Sequence, residues 1–130
     1  MAQMGVLMIK ENASLWGRDF SLSLLYRCRP DEDVLDSQLQ AKNAILDNWS
    51  AVEEAKQAVE SYCLDRDGDV IGDSIENIFK YVIPTGLFVL RDESARKVAL
   101  MCNYRFDPEH GIAVVFKNEK LLEVIPQDEL

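Results

Sequence analysis

At 130 residues, with 48% hydrophobic and 28% charged positions, the chain has the size and make-up of one globular domain spanning 1–130, whose core needs neither disulfides nor a structural metal. The formal charge is −9, from 23 acids against 14 bases, and no cluster of Lys and Arg interrupts it, so nucleic acid is excluded as the expected partner. No apolar run reaches transmembrane length, and "MGVLMI" is too short and too poor in flanking bases for a secretory signal, so a cytoplasmic protein with no membrane partner is expected.

In chain order, "VLMI" reads as a short first strand. "FSLSLLYRC" alternates strictly, with Phe20, Leu22, Leu24, Tyr26 and Cys28 on one face, and predicts a half-buried strand over 20–28. "RPDED" breaks it. The period then changes to helical. Leu35, Leu39, Ala41, Ile45 and Leu46 predict a helix over 34–47, with Asp33 or Asp36 as its cap. Ser50 with Glu53 three residues on predicts a capping box opening a second helix over 50–64. Ile75, Ile78, Phe79 and Val82 predict a third, over 74–82, ended by Pro84 and Gly86. Period two returns in strands near 86–91, 97–106, 112–117 and 120–125, the last two joined at Asn118-Glu119. The fold class is α+β, an antiparallel sheet of about five or six strands with two or three helices packed on one face.

The three cysteines, Cys28, Cys63 and Cys102, are odd in number, widely spaced and set in apolar contexts, which predicts reduced, buried thiols. The closing "QDEL" resembles an endoplasmic-reticulum retention tail, but nothing in the sequence routes the chain there, and a frayed acidic end is expected.

Two stretches invite a chemical reading. In "DRDGDVIGDSIE" the carboxylates of Asp65, Asp67, Asp69, Asp73 and Glu76 occupy positions 1, 3, 5, 9 and 12 of a calcium loop of the EF-hand kind. Position 6, which demands glycine for a sharp turn, is Val70, so the expectation is a solvated bend with no metal, in which Gly68 and Gly72 make the turns. Asp73 and Glu76 are then expected to cap the third helix. In "FDPEHG", Asp107, Glu109 and the lone His110 could do acid–base work, with Gly111 closing the turn. No second His and no partnered nucleophile accompany them, so a structural turn at the sheet edge is expected, in which Asp107 and Glu109 accept hydrogen bonds.

The ending "CNYRFDPEHGIAVVFKNEKLLEVI" resembles the C-terminal signature of a family of uncharacterised, mostly bacterial domains of unknown function, in which an aromatic-Asp-x-Glu-His-Gly turn joins two strands. "DSQLQAKNAILDNWSAVEEAKQAVESYC" is similar to the same family's helices, with Gln38 and Tyr62 at its marked places, so the resemblance spans about residues 16–126. Phe106 stands where the family usually has Trp, and Val124-Ile125-Pro126 where it has Val-Gly. The resemblance implies no enzymatic activity, and suggests kinship with immunity proteins of bacterial toxin systems.

The reading that follows is a non-enzymatic, protein-binding domain without cofactors, whose acidity suits a basic partner such as a nuclease toxin. The alternatives are a calcium-responsive or calcium-stabilised domain built on 65–76 and, behind it, a hydrolase built around Glu109 and His110.

Overall fold

The computed structural model describes residues 3–29 and 31–130, with side chains from Lys10 onward. Strands β1 (Gln3–Leu15) and β2 (Arg18–Cys28) form a hairpin. Helices α1 (Asp36–Asp47), α2 (Trp49–Glu54) and α3 (Lys56–Ile71) follow, then a 3-10 turn at Ile78–Lys80. The chain closes with β3 (Val82–Val89), β4 (Lys97–Tyr104), β5 (Ile112–Lys117), β6 (Lys120–Ile125) and a 3-10 turn at Gln127–Glu129. The strands make a single six-stranded sheet in the order β1-β2-β3-β4-β5-β6.

Four of the five joins are antiparallel, but β2 and β3 run parallel, Ser23 opposing Gly86 and Tyr26 opposing Val89. The wholly antiparallel sheet expected from sequence is corrected at that join. A hairpin cannot make a parallel pair; the chain must return to the start of the neighbouring strand, and α1–α3 supply that crossover. The join is close: a Cβ on Gly86 would lie 2.7 Å from the Ser23 carbonyl oxygen.

Buried positions of β2, β4 and β5 on one side of the sheet, such as Leu24, Leu100 and Val114, share a core cluster with Ala41, Ile45, Val52, Val59 and Cys63 of the helices. On the other side Phe88, Ala99, Ala113 and Val115 form a second, smaller cluster to which no residue of α1–α3 contributes. Burial on both sides explains why "IAVVF" in β5 is an unbroken apolar run rather than an alternation. Cys28, Cys63 and Cys102 are free and buried.

Three helical expectations change. The predicted 50–64 helix breaks at Ala55. The Trp16 indole Nε1 donates to the carbonyls of Val52 (3.3 Å) and Glu53 (3.1 Å), which a continuous helix would offer to Lys56 and Gln57. The Glu53 carboxylate accepts from the Trp16 backbone N–H (3.2 and 3.3 Å) rather than closing a capping box, and Ser50 lies inside α2, whose cap is Asn48. The Trp49 indole donates to the Ser14 carbonyl (2.9 Å), so two tryptophans clip the β1–β2 turn to α2. The cap of α1 is Leu35 rather than Asp33 or Asp36, its N–H donating to the Gln38 Oε1 (2.9 Å). No helix spans 74–82: Ile78 plugs the core from the 3-10 turn, and β3 has begun by Val82. Pro84 and Gly86, expected to end that helix, lie within β3 where its register against β4 shifts, a bulge that tolerates a missing N–H.

Both edge strands are irregular. The β1–β2 register shifts between Gly5 and Ile9, and β6 shifts against β5 between Val115 and Phe116, which leaves Leu121 and Leu122 exposed. Bulged edges resist pairing with another chain's strand.

Candidate functional site

The acidic stretch is not the loop its composition suggests. Asp65–Ile71 continues α3, with non-helical angles only at Asp67 (φ −130°, ψ 24°). Gly68 is helical, and the turn falls to Gly72 alone, at φ +108°. Val70, expected to resist a bend, sits on helix with 71% of its surface exposed. No helix follows for Asp73 and Glu76 to cap; the 3-10 turn is capped by Asn77, whose Oδ1 accepts from the Phe79 N–H (3.1 Å). Asp65, Asp69, Asp73 and Glu76 are exposed, and among the described residues no three His, Cys, Asp or Glu gather as metal ligands.

Asp67 alone turns inward. Its Oδ2 accepts from the Tyr104 hydroxyl at 2.5 Å. Tyr104 occupies the buried face of β4, where its apolar ring joins the core but its hydroxyl needs a partner. The helix irregularity coincides with that bond. Burial, reinforced by the carboxylate it donates to, holds the Tyr104 phenol protonated far above neutral pH.

The "DPEHG" segment joins β4 to β5, two interior strands, so it lies at an end of the sheet rather than at its edge. Its bonds are local. Asp107 Oδ1 accepts from the His110 backbone N–H (3.2 Å) and meets His110 Nδ1 (3.1 Å), while the Gly111 N–H donates to the Asp107 carbonyl (2.8 Å). Glu109 is exposed and makes no hydrogen bond among the described residues, so of the two expected acceptors only Asp107 serves. His110 is part-buried; its hydrogen bond to Asp107 raises its pKa above the usual 6.5, burial opposes, and the charges of Asp128 and Asp107 add to the rise.

Gly111 is required twice over. Its φ is +63°, and a Cβ would stand 2.5 Å from the Cys102 carbonyl oxygen and 2.8 Å from Gln127 Nε2. Gln127 fills that space, donating to the carbonyls of Cys102 (3.0 Å) and Ile112 (3.3 Å), an opposed pair of β4 and β5. Asp128 Oδ2 comes within 3.9 Å of His110 Nε2. The "QDEL" end is thus seated on the turn, not frayed.

The two acidic stretches meet through aromatic residues. Arg66 donates to the Tyr62 hydroxyl (2.6 Å), Tyr62 and Phe106 both pack edge-on to Tyr104, and Tyr81 stacks on Phe106. Burial raises the pKa of Tyr62 and the hydrogen bond to Tyr62 raises that of Arg66, and the Asp107 charge adds a smaller rise to each. A cleft of about 350 Å³ opens beside them, lined by Tyr81, Ile83, Asn103, Tyr104 and the bases Lys80 and Arg105. Sequence reasoning missed Asp67's partner, Gln127, Lys80 and Arg105. For Tyr104 the signal was there: a hydroxyl on an apolar strand face must find an acceptor.

Chemically, His110 and Asp107 form a dyad, but no hydroxyl or thiol bonds to His110 among the described residues. Burial pushes the Cys63 thiol up to about 11 and the Cys102 thiol higher, so neither is a thiolate at neutral pH.

Comparison with known proteins gives a match to the family model described as Domain of unknown function (DUF6985), over residues 8–130. No curated protein and no solved structure matches the chain.

Proposed function

The chain belongs to this family of domains of unknown function, and we propose that it acts by binding a basic protein partner rather than by catalysis. The location of the charge carries this reading. Residues 31–76 hold 13 acids and three bases, a net of −10, whereas the rest of the chain holds ten acids and 11 bases, a net of +1. The whole surplus therefore sits on the crossover. Nine of its 13 acids are exposed, and few have structural duties: Glu32 pairs with Arg91, Glu53 receives the Trp16 N–H and Asp67 the Tyr104 hydroxyl. Charge needed only to keep the protein dispersed has no reason to gather on one layer; charge that steers a partner does. No helix of the described residues is long and apolar enough to cross a membrane. A basic toxin, held inactive by an immunity-type domain, is the kind of partner this surface fits, in keeping with the resemblance carried by the turn motif.

The test is zero-length carbodiimide crosslinking in native cells, which joins carboxylates to contacting lysines. The adducts should link acids of 31–76 to lysines of a basic protein. Replacing Asp65, Asp69, Asp73 and Glu76 together by Lys should then slow association with that protein by about ten- to a hundred-fold at low salt, and by much less at high salt. Crosslinks concentrated on the strands, or association indifferent to the charge reversal, would defeat the proposal.

A further inference from the structure

The cleft at the turn end of the sheet takes no part in the acidic crossover, and its lining carries two bases and no acid. Val82 and Tyr104, opposed across β3 and β4, are buried in the cluster shared with the helices. The next pair, Ile83 and Asn103, therefore faces away from the helices. Arg105, one step past Tyr104, is anchored by its backbone N–H, which donates to the Tyr81 carbonyl (2.8 Å). Lys80 ends the 3-10 turn just before, its Nζ 5.8 Å from the centroid of the Tyr81 ring. Pro108 completes the lining, held in the turn that the Gly111 N–H closes on the Asp107 carbonyl. The enclosed volume of about 350 Å³ falls within the range of small-molecule sites.

Three features of this lining have no use in the fold. Lys80 and Arg105 are exposed, and among the described residues neither has a carboxylate within 4.0 Å, in a protein of net charge −9. The Asn103 side-chain amide makes no hydrogen bond among the described residues. Ile83, opposite it, leaves 38% of its surface open. The acids of the adjoining turn, Asp107 and Glu109, are both felt at His110, which lies outside the lining.

We propose that this cleft binds a small aromatic phosphate monoester. Such a group carries about −1.5 to −2 at neutral pH, which matches two bases where a carboxylate matches one. Arg105 offers a planar fork of donors and Asn103 an amide donor to the phosphoryl oxygens, while Lys80 adds a compact point charge. The Tyr81 ring, Ile83 and Pro108 give the flat apolar body a surface to lie against. The volume suits one ring with its phosphate rather than a run of polymer. This site is independent of the acidic layer and opposite to it in sign.

The experiment titrates the full, isotope-labelled chain with phenyl phosphate near neutral pH and follows the amide NMR signals. Shifts should concentrate at residues 80–83 and 103–105 and saturate within a few millimolar. Benzoate, which has the ring with a single charge, and inorganic phosphate, which has the charge without the ring, should each bind at least about fivefold more weakly. Arg105→Ala and Lys80→Ala should each weaken phenyl phosphate by about tenfold or more. Both should leave the melting temperature within about 1–2 °C, since neither side chain has a partner in the fold. Lys80→Gln carries the test if Arg105→Ala fails to fold. Ile83→Ala should weaken phenyl phosphate by about threefold while leaving inorganic phosphate unchanged, a split that a merely basic surface would not give. The proposal is overturned if the shifts fall elsewhere or have not saturated by about 20 mM. It is overturned equally if the substitutions leave affinity within about twofold, or if inorganic phosphate binds as tightly as phenyl phosphate. Binding of a phosphotyrosine peptide or single-stranded RNA about tenfold tighter than phenyl phosphate would make the occupant a polymer and overturn it too.

Discussion

The crossover and the β3–β6 meander are held by different kinds of bond. The meander is laced by backbone ladders between neighbours in sequence and closed by short turns, at Asn118-Glu119 with φ of +50° and +63°, and at Asp107–Gly111. The crossover is tied to the sheet by side chains reaching across long stretches of sequence. Gln38, buried in α1, donates to the carbonyls of Arg27 (2.9 Å) and Val89 (3.4 Å), at the ends of the two parallel strands. Its Oε1 receives the Leu35 N–H and the Arg91 guanidinium (3.3 Å). Trp16, Trp49 and Tyr104 make the other ties. A region laced locally can be damaged at its turns, whereas a region tied at a distance can be damaged at single polar atoms.

The largest expected effect tests the first half of that contrast. Gly111→Ala should cost about 3–5 kcal/mol, because the new Cβ meets the Cys102 carbonyl and the backbone is left-handed there. Gly72→Ala, also at positive φ but with open space around it, should cost only about 1–2 kcal/mol. Equal losses in chemical denaturation would mean that close approach at the turn is not what matters.

Gln38→Ala tests the second half. It orphans two carbonyls and an N–H in the interior and should cost about 2–4 kcal/mol. Hydrogen exchange should then accelerate at the β2–β3 join and in α1 before it does so in β4 and β5; uniform acceleration would break the comparison. Tyr104→Phe acts on the seam between the regions. It leaves Asp67 without its donor and should cost about 1–2 kcal/mol, with the loss of helical protection confined to the end of α3.

The smallest effect is one of pH. His110 has a raised pKa, so its contribution to stability is complete below about 6.5 and fades as pH climbs through the folded-state value. Melting curves from about pH 5.5 to 8.5 should show a slight loss of stability across that rise, absent in His110→Gln. An NMR titration of His110 with a midpoint at or below 6.5 would contradict the Asp107 contact.

This division also explains what could be read from the sequence. The strands at 112–117 and 120–125 and the turn at Asn118-Glu119 were legible, because short β-prone apolar runs and turn chemistry are local. The cysteines were legible because their apolar neighbours buried them. The false third helix arose from four apolar residues at helical spacing, which a plug at Ile78, aromatic packing at Phe79 and a strand start at Val82 satisfy equally well. The parallel join escaped because nothing local distinguishes a strand that pairs forwards from one that pairs backwards. At the acidic stretch, composition gave the charges but not the helix that separates them, and Asp67's role depended on a tyrosine far along the chain.

The parallel join has a consequence in time as well as in shape. Ser23 and Gly86 must find each other across about sixty residues, whereas strands within the meander meet across a few. Closing so long a loop is entropically dear, and contacts distant in sequence slow folding. The meander is expected to assemble first, with the β1–β2 hairpin docking onto its β3 edge only as the crossover condenses. Pulled from its two termini, the molecule should part first between β2 and β3, the one seam no hairpin holds closed.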